Sequence, residues 1–164
     1  MVVILWFYYR PTIEYSHWPL ETKIKYILPM KLQEQDALLE LKVHGFGDAN
    51  TPGRDDVLFN VTASTGSYVA ADRSWVMKAD LDRFLRELRA LDQNRQGQAV
   101  LVSPSPAGLR LEFYSTDSAG HMAARGQMGR KDAHGFLSQL RFGFTFAPDK
   151  LSSVLEYFES IYRK

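Results

Sequence analysis

Residues 140–146 read LRFGFTF, and this stretch decides the fold class of the chain. Apolar residues occupy every second position, with Arg141, Gly143 and Thr145 between them. A period of two residues is typical of a β-strand that buries one face. The stretch therefore predicts a strand whose aromatic face lies in the core beneath a helix. The aromatic residues concerned are Phe142, Phe144 and Phe146, with Phe84 and Phe158 as their expected partners.

The same alternation recurs along the rest of the chain. It predicts further strands over residues 39–43, 57–63, 68–76, 99–102, 109–114 and 121–128. The connections between them are short and contain turn residues, at Gly66, at 104–108 and at 118–120. Short connections join antiparallel strands, whereas parallel strands need long crossovers. We therefore expect antiparallel hairpins.

Two segments change to the period of a helix. In residues 79–92 and 148–162, apolar side chains recur at three- and four-residue spacing. We predict amphipathic helices over residues 80–91 and 149–161, with Asp80 as a candidate N-cap of the first. The carboxylates at Glu87, Asp92, Glu156 and Glu159 are expected on the outer faces, as solubilising charge. The fold class predicted is α+β: a twisted antiparallel sheet of five or more strands with two packed helices.

The chain divides in composition near Met30. Residues 1–29 contain seven aromatic residues and few charges, and residues 30–164 are interpreted as a single α+β domain. Two interpretations of residues 1–29 stay open. They contribute one or two edge strands, in keeping with their aromatic and β-branched content, or they are an appendage upstream of the natural start at Met30.

Composition excludes several classes of function. The 164 residues include no cysteine, which excludes thiol catalysis, disulfides, thiolate zinc sites and iron–sulfur clusters. The formal net charge of +1 argues against nucleic acid as a partner. The basic residues Arg125, Arg130 and Lys131 are interpreted as a solvated loop. The apolar residues 2–9 lack the features of a signal peptide and are too few to span a membrane, so we expect a cytoplasmic protein without a membrane partner.

The histidines and carboxylates give no recognisable catalytic pattern. His44 precedes Asp48, Asp55 and Asp56, which together could form an acid–base or metal cluster. Most of this set falls in a loop rich in Gly and Pro, whereas metal ligands are fixed on rigid elements. No serine lies in a nucleophile turn and no glycine-rich loop precedes a helix. We expect no enzyme, no cofactor and no metal.

A resemblance to a known family adds to this reading. The features concerned are the strands at 39–43, 97–101, 109–113 and 140–146, the helix over 80–88, the Gly120-His121 step and the segment 149–151. Their order resembles that found in the WapI-type family of bacterial immunity proteins. The resemblance begins near Met30. It implies a non-catalytic protein that binds and neutralises a cognate toxin domain. A small-ligand carrier and a structural subunit of an assembly are the alternatives.

A tight inhibitor of this kind needs local charge opposite to that of its target. The main acidic concentration in the sequence lies between two predicted strands, where binding residues tend to collect. Its members are Asp48, Asp55 and Asp56, with Asp36 and Glu40 nearby in sequence. We therefore predict that Asp48, Asp55 and Asp56, here called the acidic loop, contact the partner protein.

Overall fold

A computed structural model describes residues 27–48, 50, 52–105 and 107–162. The interpretations of residues 1–26 lie outside the described residues. The elements, in chain order, are β1 (Met30–Glu34), β2 (Ala37–Phe46), β3 (Val57–Thr65), β4 (Tyr68–Val76), α1 (Lys78–Asn94), β5 (Gln98–Val102), β6 (Arg110–Ser115), β7 (Met122–Lys131), β8 (Leu137–Phe146) and α2 (Lys150–Ser160).

The strands form two antiparallel sheets of four, ordered β1-β2-β3-β4 and β5-β6-β7-β8, here called the first and second sheets. The predicted α+β class with antiparallel strands and two packed helices is confirmed. The expectation of a single sheet is wrong, because α1 intervenes between β4 and β5 and those two strands do not pair. Within each sheet every strand pairs with its neighbour in sequence, as the short connections predict.

Both sheets share one hydrophobic core with the helices. Phe84 of α1 packs edge-on against Phe158 of α2, with ring centroids 4.8 Å apart. Phe158 also contacts Phe59 of β3, and Phe84 contacts Phe113 of β6. All four side chains are fully buried. Burial of a phenylalanine contributes about 1.5–3 kcal/mol, so this cluster is a main stabilising part of the core that the two sheets and two helices share.

The aromatic strand that decides the fold is β8, and it packs less deeply than predicted. Phe142 and Phe146 are buried, and Phe146 lies edge-on to Phe113, with centroids 6.1 Å apart. Phe144 is only half-buried. β8 is the edge strand of the second sheet, so fewer neighbours cover its inward face. The ring contacts of Phe84 and Phe158 are accordingly with Phe59, Phe113, Tyr157 and each other.

The helix α1 begins earlier than predicted and is capped by a different residue. Its N-cap position is Met77, which makes no side-chain capping bond. Asp80 lies in the first turn and pairs with Arg83 at 2.8 Å. The acceptor at this terminus is Asp56, whose Oδ1 accepts a hydrogen bond from the Lys78 backbone N–H at 2.8 Å. The prediction of Asp80 as the cap is therefore wrong, because a loop distant in sequence supplies that acceptor.

Three helix carboxylates predicted to be solubilising instead join elements. Glu87 accepts a hydrogen bond from the Val100 backbone N–H at 2.9 Å, which fastens α1 to β5. Asp92 accepts a hydrogen bond from the Ser152 hydroxyl at 3.0 Å, and Glu159 accepts one from Arg89 at 2.9 Å. The last two contacts fasten α1 to α2. They arise because the helices lie side by side, which periodicity alone does not reveal.

Candidate functional site

The acidic loop connects β2 to β3, and the structure brings its three aspartates into one short segment. Two backbone bonds close it: Gly47 N–H donates to the Asp56 carbonyl, and Asp56 N–H donates to the Gly53 carbonyl, both at 2.9 Å. Asp48 Oδ1 accepts a hydrogen bond from the Asn50 N–H at 2.8 Å. The loop is thus internally bonded at both ends.

The three aspartates differ in how freely they face solvent. Asp56 is held at the start of α1 by its bond to Lys78. Asp55 is paired with Arg54 at 3.6 Å, and 38% of its side chain is exposed. Asp48 lies on the exposed side of the loop. Asp48 is therefore the most exposed of the three, and Asp55 and Asp56 are both half-buried.

Within the part of the chain that the structure describes, no histidine belongs to a group of three side chains that could hold a metal ion. His44 Nδ1 lies 3.4 Å from Asn60 Nδ2, a long contact on the outer face of the first sheet. His121 Nδ1 lies 2.5 Å from Asp117 Oδ2 in the β6–β7 turn. Asp117 also accepts hydrogen bonds from the backbone N–H groups of Ala119 and His121. The hydrogen bond with the His121 ring holds the pKa of the Asp117 carboxyl below its ordinary value, so this pair stabilises a turn.

A second charged surface, absent from the sequence predictions, lies on the outer face of the second sheet. The strand register places Arg110, Gln127 and Arg141 in one row across β6, β7 and β8. Glu112 and Arg125 are paired in the next row. We call the set Arg110, Glu112, Tyr114, Arg125 and Arg141 the arginine face.

Glu112 is the centre of the arginine face. Its side chain is 5% exposed. Its Oε1 accepts a hydrogen bond from Arg125 Nη2 at 2.7 Å, and its Oε2 forms an ion pair with Arg110 Nη2 at 3.7 Å. The hydrogen bond to Glu112 raises the pKa of Arg125. The Arg125 guanidinium also lies 4.8 Å above the Tyr114 ring, within cation–π distance. One buried carboxylate and one aromatic ring therefore fix two of the three guanidinium groups.

Arg141 completes the arginine face and makes no ion pair with any described residue. The guanidinium groups surround a shallow concavity of about 370 Å³, lined by Arg110, Glu112, Arg125, Gly126, Gln127, Arg141 and Phe142. Three arginines and one glutamate give this surface a formal charge of +2. Guanidinium groups donate paired hydrogen bonds to carboxylates and phosphates, so the surface can bind anionic groups.

Part of the arginine face could be predicted from the sequence. Alternation alone places Arg110 and Arg141 on the outward sides of their strands. The interpretation of Arg125, Arg130 and Lys131 as a solvated loop is wrong, because all three belong to β7. Only the pairing register shows that Arg125 faces the same side as the other two arginines.

Comparison with known families supports the resemblance seen in the sequence. Residues 30–164 match the model of the immunity protein WapI-like family. The chain belongs to the WapI-like immunity protein family. No curated protein and no solved structure gave a significant match.

Two further structural findings bear on this WapI-like protein. Among residues 27–48, 50, 52–105 and 107–162, no three His, Asp or Glu side chains come close enough together to hold a metal ion. Neither helix within those ranges combines the length and apolar character needed to cross a bilayer. The acidic loop and the arginine face are two surfaces of this family member that are suited to charged partners.

Proposed function

We propose that this protein is an immunity protein that binds a cognate toxin domain and blocks it by occupying its surface, without catalysis. The observation that carries the proposal is the family match over residues 30–164. The proposed partner is a protein, and the proposed compartment is the cytoplasm, where a producing cell needs protection.

The fold suits inhibition by tight binding. A binding surface held rigid before contact loses less conformational entropy when the complex forms. Here the fully buried cluster of Phe59, Phe84, Phe113 and Phe158 ties both sheets to both helices. Side chains on the outer sheet faces are therefore presented on a stiff support.

The acidic loop remains a proposed contact surface for the toxin. Asp48 is exposed and the Asp55 side chain is 38% exposed, and Asp56 accepts a hydrogen bond at the start of α1. A basic patch on the toxin would complement them. Lysine substitutions of Asp48 and Asp55 test this surface without removing the hydrogen bond that Asp56 supplies to the fold.

Co-expression tests the function directly. Cells expressing the toxin domain encoded beside this gene are compared with and without this protein, and survival is expected only when both are present. Equal killing in both cultures would show that the protein is not the immunity partner. Asp48→Lys with Asp55→Lys is expected to weaken rescue, and Asp149→Lys with Glu156→Lys, at exposed positions beside and on α2, is the charge-matched control. Rescue that is unchanged by the loop substitutions removes the acidic loop as the contact surface and leaves the function standing.

A further inference from the structure

We propose that the arginine face is the principal recognition surface of this protein and that it binds carboxylate side chains on an acidic surface of its protein partner. The inference rests on the proposed function, because it identifies the surface and the partner chemistry through which neutralisation occurs. The arginine face differs from the acidic loop in its position on the protein and in the sign of its charge.

The first argument is geometric. Arg110 and Arg141 flank Gln127 in one row of the second sheet. Adjacent strands lie about 4.8 Å apart, so the backbones of these two arginines are roughly 10 Å apart. Arg125 lies in the next row, opposite Glu112. The three arginines therefore lie on one outer face around the shallow concavity, and this spacing lets them engage several carboxylates of one partner surface at once.

The second argument is preorganisation. Arg110 and Arg125 are each held by Glu112, yet their side chains stay 50% and 57% exposed. A guanidinium has five N–H donors, so donors remain on each arginine after the contact with Glu112. Arginine fixed in advance loses less side-chain entropy on binding, and arginine is enriched among residues that dominate binding energy.

The third argument concerns Glu112 itself. A buried ion pair is often no more stabilising than apolar side chains of the same volume, since removing the charges from water costs as much as their attraction returns. Stability alone therefore gives no reason for a carboxylate that is 5% exposed on an outer sheet face. A role in orienting Arg110 and Arg125 toward a partner does give a reason for this carboxylate. Gly143, paired with Arg125 on β8, has no side chain and leaves that guanidinium accessible from the edge.

The charge distribution favours an acidic protein over nucleic acid. Nucleic-acid binding depends on many Lys and Arg contacts to a continuous line of phosphates. The arginine face carries a formal charge of only +2 and the whole chain only +1. A few carboxylates on a protein surface match this limited, patterned charge better.

The principal test measures the affinity of the purified protein for the toxin domain by calorimetry. Arg110→Gln with Arg141→Gln is expected to weaken binding about 100-fold, at about tenfold for each lost charged hydrogen-bonding group. Arg73→Gln with Arg86→Gln removes the same charge from the first sheet and from α1, where both side chains are exposed. This control is expected to change affinity less than about threefold, as is normal for charges outside a contact. Equal weakening in both double variants, or none in either, overturns the inference.

A second variant tests the positioning role of Glu112. Glu112→Leu leaves Arg110 and Arg125 charged, but both side chains are at least half exposed and can be hydrated, so the thermal midpoint is expected to stay within a few degrees of wild type. Toxin binding is expected to weaken about tenfold, because the two arginines lose their anchor. A variant that folds normally and binds with wild-type affinity shows that Glu112 does not position the arginines. If Glu112→Leu does not fold, Glu112→Gln serves in its place, with the same readout.

A third measurement separates failure of this inference from failure of the proposed function. If wild-type protein neither rescues cells nor binds the toxin domain, the proposed function is wrong. The ability of the arginine face to bind carboxylates is then tested by NMR of the arginine Nε–H groups during titration with hexaglutamate. Selective, salt-sensitive shifts at Arg110, Arg125 and Arg141, but not at Arg73 or Arg86, support a carboxylate site. Shifts spread over all arginines, or tighter binding of a 20-base-pair RNA duplex than of the acidic peptide, overturn it.

Discussion

The Asp56 carboxylate accepts a hydrogen bond from the backbone N–H of Lys78 at 2.8 Å, although the two residues are 22 positions apart. The acidic loop thereby caps α1 from outside the helix. The N-terminal N–H groups of a helix have no partners within it, and a carboxylate there also opposes the positive end of the helix dipole. Loop conformation and helix position are consequently coupled.

Removal of the Asp56 carboxylate should destabilise the protein. We expect Asp56→Ala to lower the free energy of unfolding by about 1 kcal/mol, the usual loss for a helix-capping side chain. Asp149→Ala is the matched control, because Asp149 directly precedes α2 but makes no side-chain capping bond. Urea unfolding of both variants measures the difference. Equal losses at the two positions would contradict the capping role of Asp56.

The half-buried position of Phe144 predicts a graded response along the aromatic core. Phe113→Ala should lower the free energy of unfolding by about 3–5 kcal/mol, as expected for a fully buried phenylalanine. Phe144→Ala should cost less, about 1–2 kcal/mol, because part of that side chain is exposed to solvent. Thermal and urea unfolding provide the comparison. A larger loss at Phe144 than at Phe113 would show that the edge of the second sheet is better covered than described.

The Tyr157 hydroxyl is a buried polar group that makes no hydrogen bond to any described residue. This residue belongs to α2, and its hydroxyl lies near the Val43 backbone without forming a hydrogen bond of normal geometry. Burial raises the pKa of this phenol well above its ordinary value. Tyr157→Phe should therefore leave stability unchanged or raise it by up to about 1 kcal/mol, because the desolvation cost of the hydroxyl disappears. A clear loss of stability on urea unfolding would reveal a hydrogen bond to this hydroxyl.

Asp82 should make part of the stability dependent on pH. Lys78 donates a hydrogen bond to its carboxylate at 2.7 Å and thereby holds the pKa of Asp82 below its ordinary value of 3.8. A carboxyl with a lowered pKa in the folded state stabilises the fold at pH values above 3.8, and this contribution disappears as the pH falls through the folded pKa. Wild type should therefore exceed Asp82→Asn in stability at pH 6 and converge with it near pH 2. A ¹³C NMR titration midpoint at or above 3.8 would refute this.

The local structure was largely predictable from sequence. Strand alternation and helix stripes depend on which neighbours in the chain share a face, and both are visible in residues 140–146 and 79–92. The five buried residues of α1 fall on the predicted stripe. Short turns at Gly66 and at 118–120 correctly indicated hairpins. These features arise from contacts between residues close in sequence.

The surfaces were harder to predict, because they depend on pairings between distant strands. The arginine face exists only because Arg110 and Arg141 share a row through Gln127. A shift of one residue in either pairing would send Arg125 to the other side. Likewise, Asp56 could be recognised as a cap only once the loop was placed beside α1.

The contact between Phe158 of α2 and Phe59 of β3 has a consequence for folding during synthesis. The first sheet is complete once β4 has been made, because its strands pair only with neighbours in sequence. Its inner face, however, is covered in part by Phe158, which leaves the ribosome about eighty residues later. Translation proceeds at about 5–20 residues per second. The newly made first sheet therefore keeps part of its apolar surface exposed for some seconds. Chaperone binding during translation is expected to concentrate in that interval.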